Sequence, residues 1–126
     1  LVLADALWWA PEQYKPQLAV TIATLTGAVG GALGSDYGGL FTKDDALSEK
    51  FLKAGEESGE MLWRLPVHKS HTDAIKSDVA DVKNSGEGAP GASVGAAFIM
   101  EWVKPETPFV HLDIASMAWE NSGNPT

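Results

Sequence analysis

Apolar residues recur at helical spacing at the start of the chain. Four of them lie at i, i+3, i+4 and i+7 and so share one helix face: Leu3, Ala6, Leu7 and Ala10. This pattern predicts a helix over residues 1–10, and we expect Pro11 to end it because the residue before a proline is pushed out of the helical region. Trp8 and Trp9 point in different directions on such a helix. Either one of them faces an element that this chain does not supply, or one is simply half-exposed.

A second apolar run, over residues 17–24, is β-branched and does not alternate. It is typical of a strand buried on both faces inside a parallel sheet. At Thr26 and Gly27 the side chains become small, so backbone N–H and C=O groups come within reach of a ligand at the carboxyl end of the strand, where open α/β sheets bind ligands. We expect a helix over residues 27–33 to follow. A simpler interpretation also stands, in which four glycines only let that helix pack tightly on the sheet: Gly27, Gly30, Gly31 and Gly34.

The rest of the chain alternates between predicted strands and helices. The strands cover residues 40–42, 61–67, 77–84 and 109–115, and the helices cover a stretch from 42–45 to Gly55 or Gly59, then 70–76 and 91–103. The helices beginning near Thr42 and Ser70 each open with a capping-box-like pattern, in which an acid stands three residues after the hydroxyl. Residues 84–91 read as a loop. This order predicts an α/β fold: three layers, with a largely parallel sheet flanked by helices.

Composition narrows the possible functions. The chain has 126 residues, about one domain, with 44% hydrophobic and 21% charged residues. Its net charge of −8 and its nine Lys and Arg residues disfavour nucleic acid as a partner. The absence of cysteine excludes disulfides, thiolate nucleophiles and zinc-thiolate sites. No apolar run approaches the ~20 residues that a bilayer span needs, so no membrane association is expected. Because the chain begins at Leu1 within an amphipathic pattern, we expect it to be part of a longer protein.

Local motifs for catalysis are weak. The glycine run lacks the Gly-Lys-Ser/Thr of a P-loop and the G-x-G-x-x-G spacing of dinucleotide-binding folds, and no G-x-S-x-G elbow occurs. His68 and His71 straddle a predicted helix start without a nearby third ligand, so surface histidines are favoured over a metal site. His111 and Asp113 lie two apart on one strand and share a face, which favours mutual hydrogen bonding or a core-lining role over catalysis. These motifs alone specify no reaction.

Seven ordered blocks nevertheless resemble one family along nearly the whole chain. They are LVLADAL at 1–7, ATLTGA at 23–28, GLFT at 39–42, WRLP at 63–66, ADV at 80–82, GA and AAF within 91–98, and HLDIA at 111–115. Together they resemble the catalytic domain of the leucine (cytosol) aminopeptidase family. In that family the segment before Leu1 would read Asn-Thr-Asp-Ala-Glu-Gly-Arg, with two metal-ligand carboxylates and the catalytic arginine. The resemblance implies that residues 1–126 are part of a larger catalytic domain.

The implied activity is that of an exopeptidase releasing N-terminal residues, leucine favoured, with two divalent metal ions, zinc or manganese. The metal ligands and the catalytic residues, a lysine among them, would lie outside this chain. The resemblance also implies a cytoplasmic homo-hexamer acting on peptides. We therefore expect this chain alone to be inactive.

The part assigned to this chain is a substrate cradle. The resemblance implies that Thr24 lines the cleft, that the Leu25 backbone meets the peptide and a bound bicarbonate, and that the Gly27 N–H holds the substrate backbone. Ala115 and Ala118 would line the side-chain pocket. Family members often carry Gly where Ser116 stands and a larger apolar residue near Ala118, which bears on the preferred side chain.

Two other functions stay open at this point. The chain could belong to an inactive binding or structural module of the same fold, if the parent protein lacked the upstream ligands. It could also be a nucleotide-binding α/β domain, which the glycine spacing disfavours.

Overall fold

The computed structural model describes residues 1–78 and 91–119. The helices in these ranges are α1 (Val2–Tyr14), α2 (Ala28–Leu33), α3 (Asp45–Ser58), α4 (Lys69–Ala74) and α5 (Gly91–Met100). The strands are β1 (Ala19–Ala23), β2 (Gly38–Phe41), β3 (Leu62–Arg64) and β4 (Phe109–Asp113). Of the strand predicted over 77–84, residues 77 and 78 have no strand structure and the others lie outside the described residues, as do residues 84–90 of the predicted loop.

The four strands form one sheet in the order β1-β4-β2-β3. β1 pairs with β4 and β2 with β3 in parallel, whereas β2 and β4 run antiparallel. Two of the three pairings are therefore parallel. The prediction of a largely parallel sheet flanked by helices is confirmed.

Helices cover both faces of this sheet. Thr21, His111 and Phe41 stand side by side on the face that packs under α5 and α2. Leu112 lies on the opposite face, towards α3. The larger buried cluster joins α1, α5 and β4, with members Ala4, Leu7, Ile75, Val94, Ala97, Phe98, Ile99 and Phe109. None of the helices in the described ranges combines the length and apolar character that crossing a bilayer requires.

The prediction that the first strand is buried on both faces is wrong for this structure. β1 pairs only with β4 and forms an edge of the described sheet. Thr21 is buried, but Val20 is 40% and Ile22 is 61% exposed. Its apolar run resembles that of a central strand, yet burial depends on what packs against it, and no described element covers Ile22. The strands with nearly complete burial are β2 and β4.

The first helix continues past the predicted stop. Pro11 lies inside α1, which ends at Tyr14 and is followed by Lys15 in a left-handed conformation with φ 44° and ψ 61°. Pro11 has no N–H to donate to the preceding turn. It is buried on the same helix face as Ala4 and Leu7, and this burial offsets the missing hydrogen bond. Trp8 and Trp9 are both more than half exposed, so no described element covers either ring.

Both predicted capping boxes are also wrong in their residues. Helix α3 is capped by Asp44, whose carboxylate accepts from the Leu47 N–H at 3.0 Å, while Thr42 donates to the Phe109 carbonyl instead. Helix α4 is capped by His68 and His71 rather than by Ser70. The starts of α3 and α4 lie one to three residues from the predicted positions. Asp44 and His68, which are close to the expected caps, accept the free N–H groups of the first helical turns instead. α3 ends at Ser58, and Gly59 follows it with φ 80°, so the structure uses Gly59 of the two predicted stops.

Candidate functional site

Two chain segments leave the sheet side by side at the carboxyl ends of β1 and β4. The parallel register pairs Ala23 with Asp113, the last residue of each strand. One further backbone bond, from the Ile114 N–H to the Ala23 carbonyl at 2.9 Å, extends this pairing. The loop of residues 24–27, which leads into α2, is thereby held against the segment that follows β4.

The Asp113 side chain connects these two segments. It is fully buried. Its Oδ1 accepts from the Leu25 N–H at 3.1 Å and from the Ala115 N–H at 3.2 Å. Its Oδ2 accepts from the Thr26 N–H at 3.1 Å and from the Thr26 hydroxyl at 2.6 Å. Burying a carboxylate is costly unless several donors replace water, and here three backbone amides and one hydroxyl do so.

The predicted cradle residues Thr24, Leu25 and Gly27 all lie on this loop and are at least partly exposed. The Leu25 side chain lines a cavity of about 260 Å³ between the start of α1 and α5. The Leu25 N–H is bonded to Asp113, whereas none of the described backbone groups donates to the Leu25 carbonyl. Among the described residues, the carbonyl is therefore the backbone group of Leu25 that remains for a ligand.

Gly27 stands at the N-terminal end of α2 with φ −67° and ψ −24°, a conformation open to any residue. A Cβ built at Gly27 would meet no heavy atom within 4 Å, and the same holds for Gly31. Tight packing therefore does not explain glycine at either position within the described structure. Gly34 differs, because its φ of 62° is a backbone conformation that favours glycine.

The two predicted pocket residues are placed differently. Ala115 packs against the buried cluster around Val29 and Phe41, and its N–H shares Asp113 Oδ1 with the Leu25 N–H. Ala118 is exposed and lines a groove of about 510 Å³ towards α3, together with Ile22. The structure thus brings Ala115 together with the loop, and places Ala118 along a separate groove.

His111 is completely buried. It lies two residues before Asp113 on β4. Its Nδ1 lies 2.8 Å from Thr21 Oγ1, its ring stacks on Phe41, and its Nε2 has no hydrogen-bond partner in the described residues. Burial lowers the pKa of the imidazole from 6.5 to about 4, an effect that the charge of Asp113 opposes. His111 therefore lines the core as a neutral ring and bonds to Thr21 instead of Asp113.

The family model described as "Cytosol aminopeptidase family, catalytic domain" matches residues 1–126. The chain belongs to the cytosol aminopeptidase family. The resemblance stated from the seven sequence blocks is confirmed.

Two curated relatives carry the name "Probable cytosol aminopeptidase". The chain is 49% identical to the one from Caulobacter vibrioides, over all of this chain and 26% of that protein. It is 45% identical to the one from Rickettsia massiliae, over 98% of this chain and 25% of that protein. A solved structure of a mutant tomato leucine aminopeptidase superposes with a TM-score of 0.89 at 42% identity, covering 94% of this chain and 23% of the other. The chain spans about a quarter of the length of these relatives.

The remaining histidines of the chain are structural. His68 Nδ1 accepts from the Ser70 N–H at 3.2 Å, and His71 Nδ1 accepts from the His68 N–H at 3.0 Å, so the pair caps α4. Within residues 1–78 and 91–119, no three His, Asp or Glu side chains are grouped so as to hold a metal ion. The described residues therefore do not form a metal centre.

The bonds from Leu25 and Thr26 to Asp113 are not predictable from the sequence motifs. A single acid inside a buried apolar strand is a usable signal, because such a carboxylate requires donors close by. The sequence does not say which donors, since Leu25 lies 88 residues from Asp113.

Proposed function

We propose that the full-length protein is an aminopeptidase that releases N-terminal amino acids from peptides, with leucine favoured, and that this chain supplies the substrate cradle. The observation that carries the proposal is the family match over all 126 residues. The names of the similar proteins, cytosol aminopeptidase and leucine aminopeptidase, support this reaction and the proposed preference for leucine.

The cradle is assigned to the loop of residues 24–27. No described group accepts from the Gly27 N–H, and the Leu25 N–H is bonded to Asp113. A substrate backbone in this cradle would accept from the Gly27 N–H and donate to the Leu25 carbonyl, in the manner of a strand added at a sheet edge. Thr24 lines the same cleft. Ala115 and Ala118 are proposed to contact the substrate side chain. Ala115 is connected to the loop because its N–H donates to Asp113, which also accepts from Leu25.

The proposal includes two divalent metal ions, zinc or manganese. Because the described residues form no metal centre, the ligands are assigned to other parts of the full-length protein. Bound there, paired ions would polarise the scissile carbonyl and activate a water molecule. The residues of this chain contribute binding and orientation of the peptide.

The implied bicarbonate fits the described residues poorly. Its expected contact is the Leu25 backbone, whose N–H already donates to the Asp113 carboxylate at 3.1 Å. A second anion at that N–H would compete with this bond and be repelled by the carboxylate. We assign no step to bicarbonate.

The wider setting is proposed from family membership. The name of the similar proteins supports a cytoplasmic location. Peptides are the proposed substrates, and a homo-hexamer is the proposed assembly. The net charge of −8 supports the proposal that nucleic acid is not a partner.

The direct test measures hydrolysis of amino-acid p-nitroanilides by the full-length protein. We expect the leucine substrate to be cleaved fastest, loss of activity with a chelator, and its return with manganese or zinc. A blank with metal alone controls for background hydrolysis. A folded full-length protein without turnover on any of these substrates would reject the proposal in favour of an inactive binding module. Binding of ATP or NAD would favour the nucleotide-binding alternative.

A further inference from the structure

We propose that Asp113 is a positioning residue for the peptidase reaction. With Thr26 it fixes the loop of residues 24–27 so that the Leu25 carbonyl and the Gly27 N–H meet the substrate at a set spacing. This inference rests on the proposed function and assigns a role to two residues that contact no substrate themselves.

The hydrogen bonds around Asp113 point away from the sheet. Every hydrogen bond found for its carboxylate goes to a residue that leaves the sheet, either on the loop at Leu25 and Thr26 or at Ala115 after β4. Within residues 1–78 and 91–119, none goes to the interior of a neighbouring strand. The buried charge is satisfied only while the loop keeps this conformation, so the carboxylate and the loop geometry are coupled.

The Thr26 hydroxyl extends this coupling into α2. It donates its only hydrogen to Asp113 Oδ2 at 2.6 Å and accepts from the Val29 N–H at 3.4 Å. Val29 is fully buried in the cluster under the sheet. The Thr26 hydroxyl therefore links the Asp113 carboxylate to the first turn of α2. Thr26 and Val29, which this hydroxyl connects, flank Gly27.

A second link reaches the proposed side-chain pocket. Asp113 Oδ1 accepts from both the Leu25 N–H and the Ala115 N–H, at 3.1 and 3.2 Å. One oxygen atom thus sets the separation between the residue proposed to hold the substrate backbone and the residue proposed to contact its side chain. A displaced carboxylate would move both.

A matched pair of variants at Thr26 tests the inference in the full-length protein. Thr26→Val keeps the shape of the side chain but removes the hydroxyl, and Thr26→Ser keeps the hydroxyl. We expect Thr26→Val to raise KM for leucine p-nitroanilide by roughly tenfold, with kcat changed less, because one charge-assisted hydrogen bond is lost. Thr26→Ser should stay within about twofold of the unchanged protein. Asp113→Asn, which turns one acceptor into a donor, should have the larger effect.

Amide hydrogen exchange gives a readout that does not depend on turnover. The N–H groups of Leu25 and Thr26 should exchange faster in Thr26→Val than in Thr26→Ser, because loosening of the Asp113 bonds exposes them. Melting temperatures are measured on the same preparations. If Asp113→Asn folds, its KM and exchange rates test the positioning role directly. If Asp113→Asn does not fold, Thr26→Val provides the test.

The outcomes separate the two proposals. If the full-length protein without substitutions has no aminopeptidase activity, the proposed function is rejected. An active protein in which Thr26→Val lowers the melting temperature but leaves KM unchanged rejects positioning and leaves a purely structural role. Faster exchange at Leu25 with unchanged kinetics rejects it as well. Raised KM in Thr26→Val, restored in Thr26→Ser, supports it.

Discussion

Thr21 and His111 face each other across the β1–β4 pair, with Oγ1 and Nδ1 2.8 Å apart and both residues buried. This contact fastens the edge strand to the centre of the sheet from within the core. It also places an imidazole where a proton would be costly, because burial disfavours the charged form.

The first prediction concerns the pH dependence of stability. In the folded chain the pKa of His111 is lowered from 6.5 to about 4, so below pH 6.5 the unfolded chain binds the additional proton. The contribution of His111 to the free energy of unfolding is therefore fully present above pH 6.5. It falls as the pH is lowered from about 6.5 to about 4, and about 3 kcal/mol is lost at the lower end. His111→Asn, which keeps a polar atom near Thr21 but does not titrate, should reduce this slope. Denaturant titrations at pH 7 and pH 5 measure it. An unchanged slope in the variant would contradict the assignment to His111.

A second prediction concerns the packing of α5 on the loop. A Cβ at Gly95 would lie 2.8 Å from Thr26 Cγ2 and 3.3 Å from Leu25 Cδ2. Gly95→Ala should destabilise the chain by about 1–3 kcal/mol, because the β-branched Thr26 cannot move aside. Gly31→Ala is the matched control, since nothing lies within 4 Å of its Cβ, and it should be neutral or stabilising by up to about 1 kcal/mol. Thermal melts compare the two; equal melting points would count against this packing.

The third prediction tests the cradle at Gly27. Its negative φ and the open space around its Cβ mean that Gly27→Val should change stability by less than about 1 kcal/mol. In the full-length protein the branched side chain should block the approach of the peptide backbone and raise KM. Melting temperature and kcat/KM are measured on one preparation. A lower melting point with normal KM would reject Gly27 as a binding residue.

A fourth prediction is that this polypeptide alone does not hydrolyse leucine p-nitroanilide, with or without manganese and zinc. The physical reason is that the described residues form no metal centre, so the cradle would orient a peptide without activating water. Turnover above a blank containing only the metal salts would contradict it.

The fifth prediction concerns association of the isolated chain. β1 is an edge of the described sheet, and Ile22 on it is 61% exposed. Such an edge invites pairing with another chain. Light scattering should show association that Ile22→Lys reduces. Ala46→Lys adds the same charge at an exposed position on α3 and should not reduce it. A monomer with two-state unfolding would argue against this edge as an association site.

Much of the fold could be predicted from local pattern. The apolar run with small residues over 91–103 predicts a helix, which the structure has as α5, and the buried run over 109–115 predicts a strand, which the structure has as β4. The boundaries were less predictable. Pro11 was expected to end α1, but its burial on the face of Ala4 and Leu7 keeps the helix intact, and burial is a property of the packed chain.

The sequence by itself determined the fold class, the family and the loop on which the cradle is proposed, because hydrophobic period, small residues and ordered motifs are written along the chain. It could not determine which strand lies at the edge, or which groups satisfy the Asp113 carboxylate. Those depend on contacts between residues far apart in the chain, such as Leu25 with Asp113 and Thr21 with His111. Only the tertiary structure brings these groups within hydrogen-bond distance, and a buried charge must be satisfied by whatever donors the packing delivers to it.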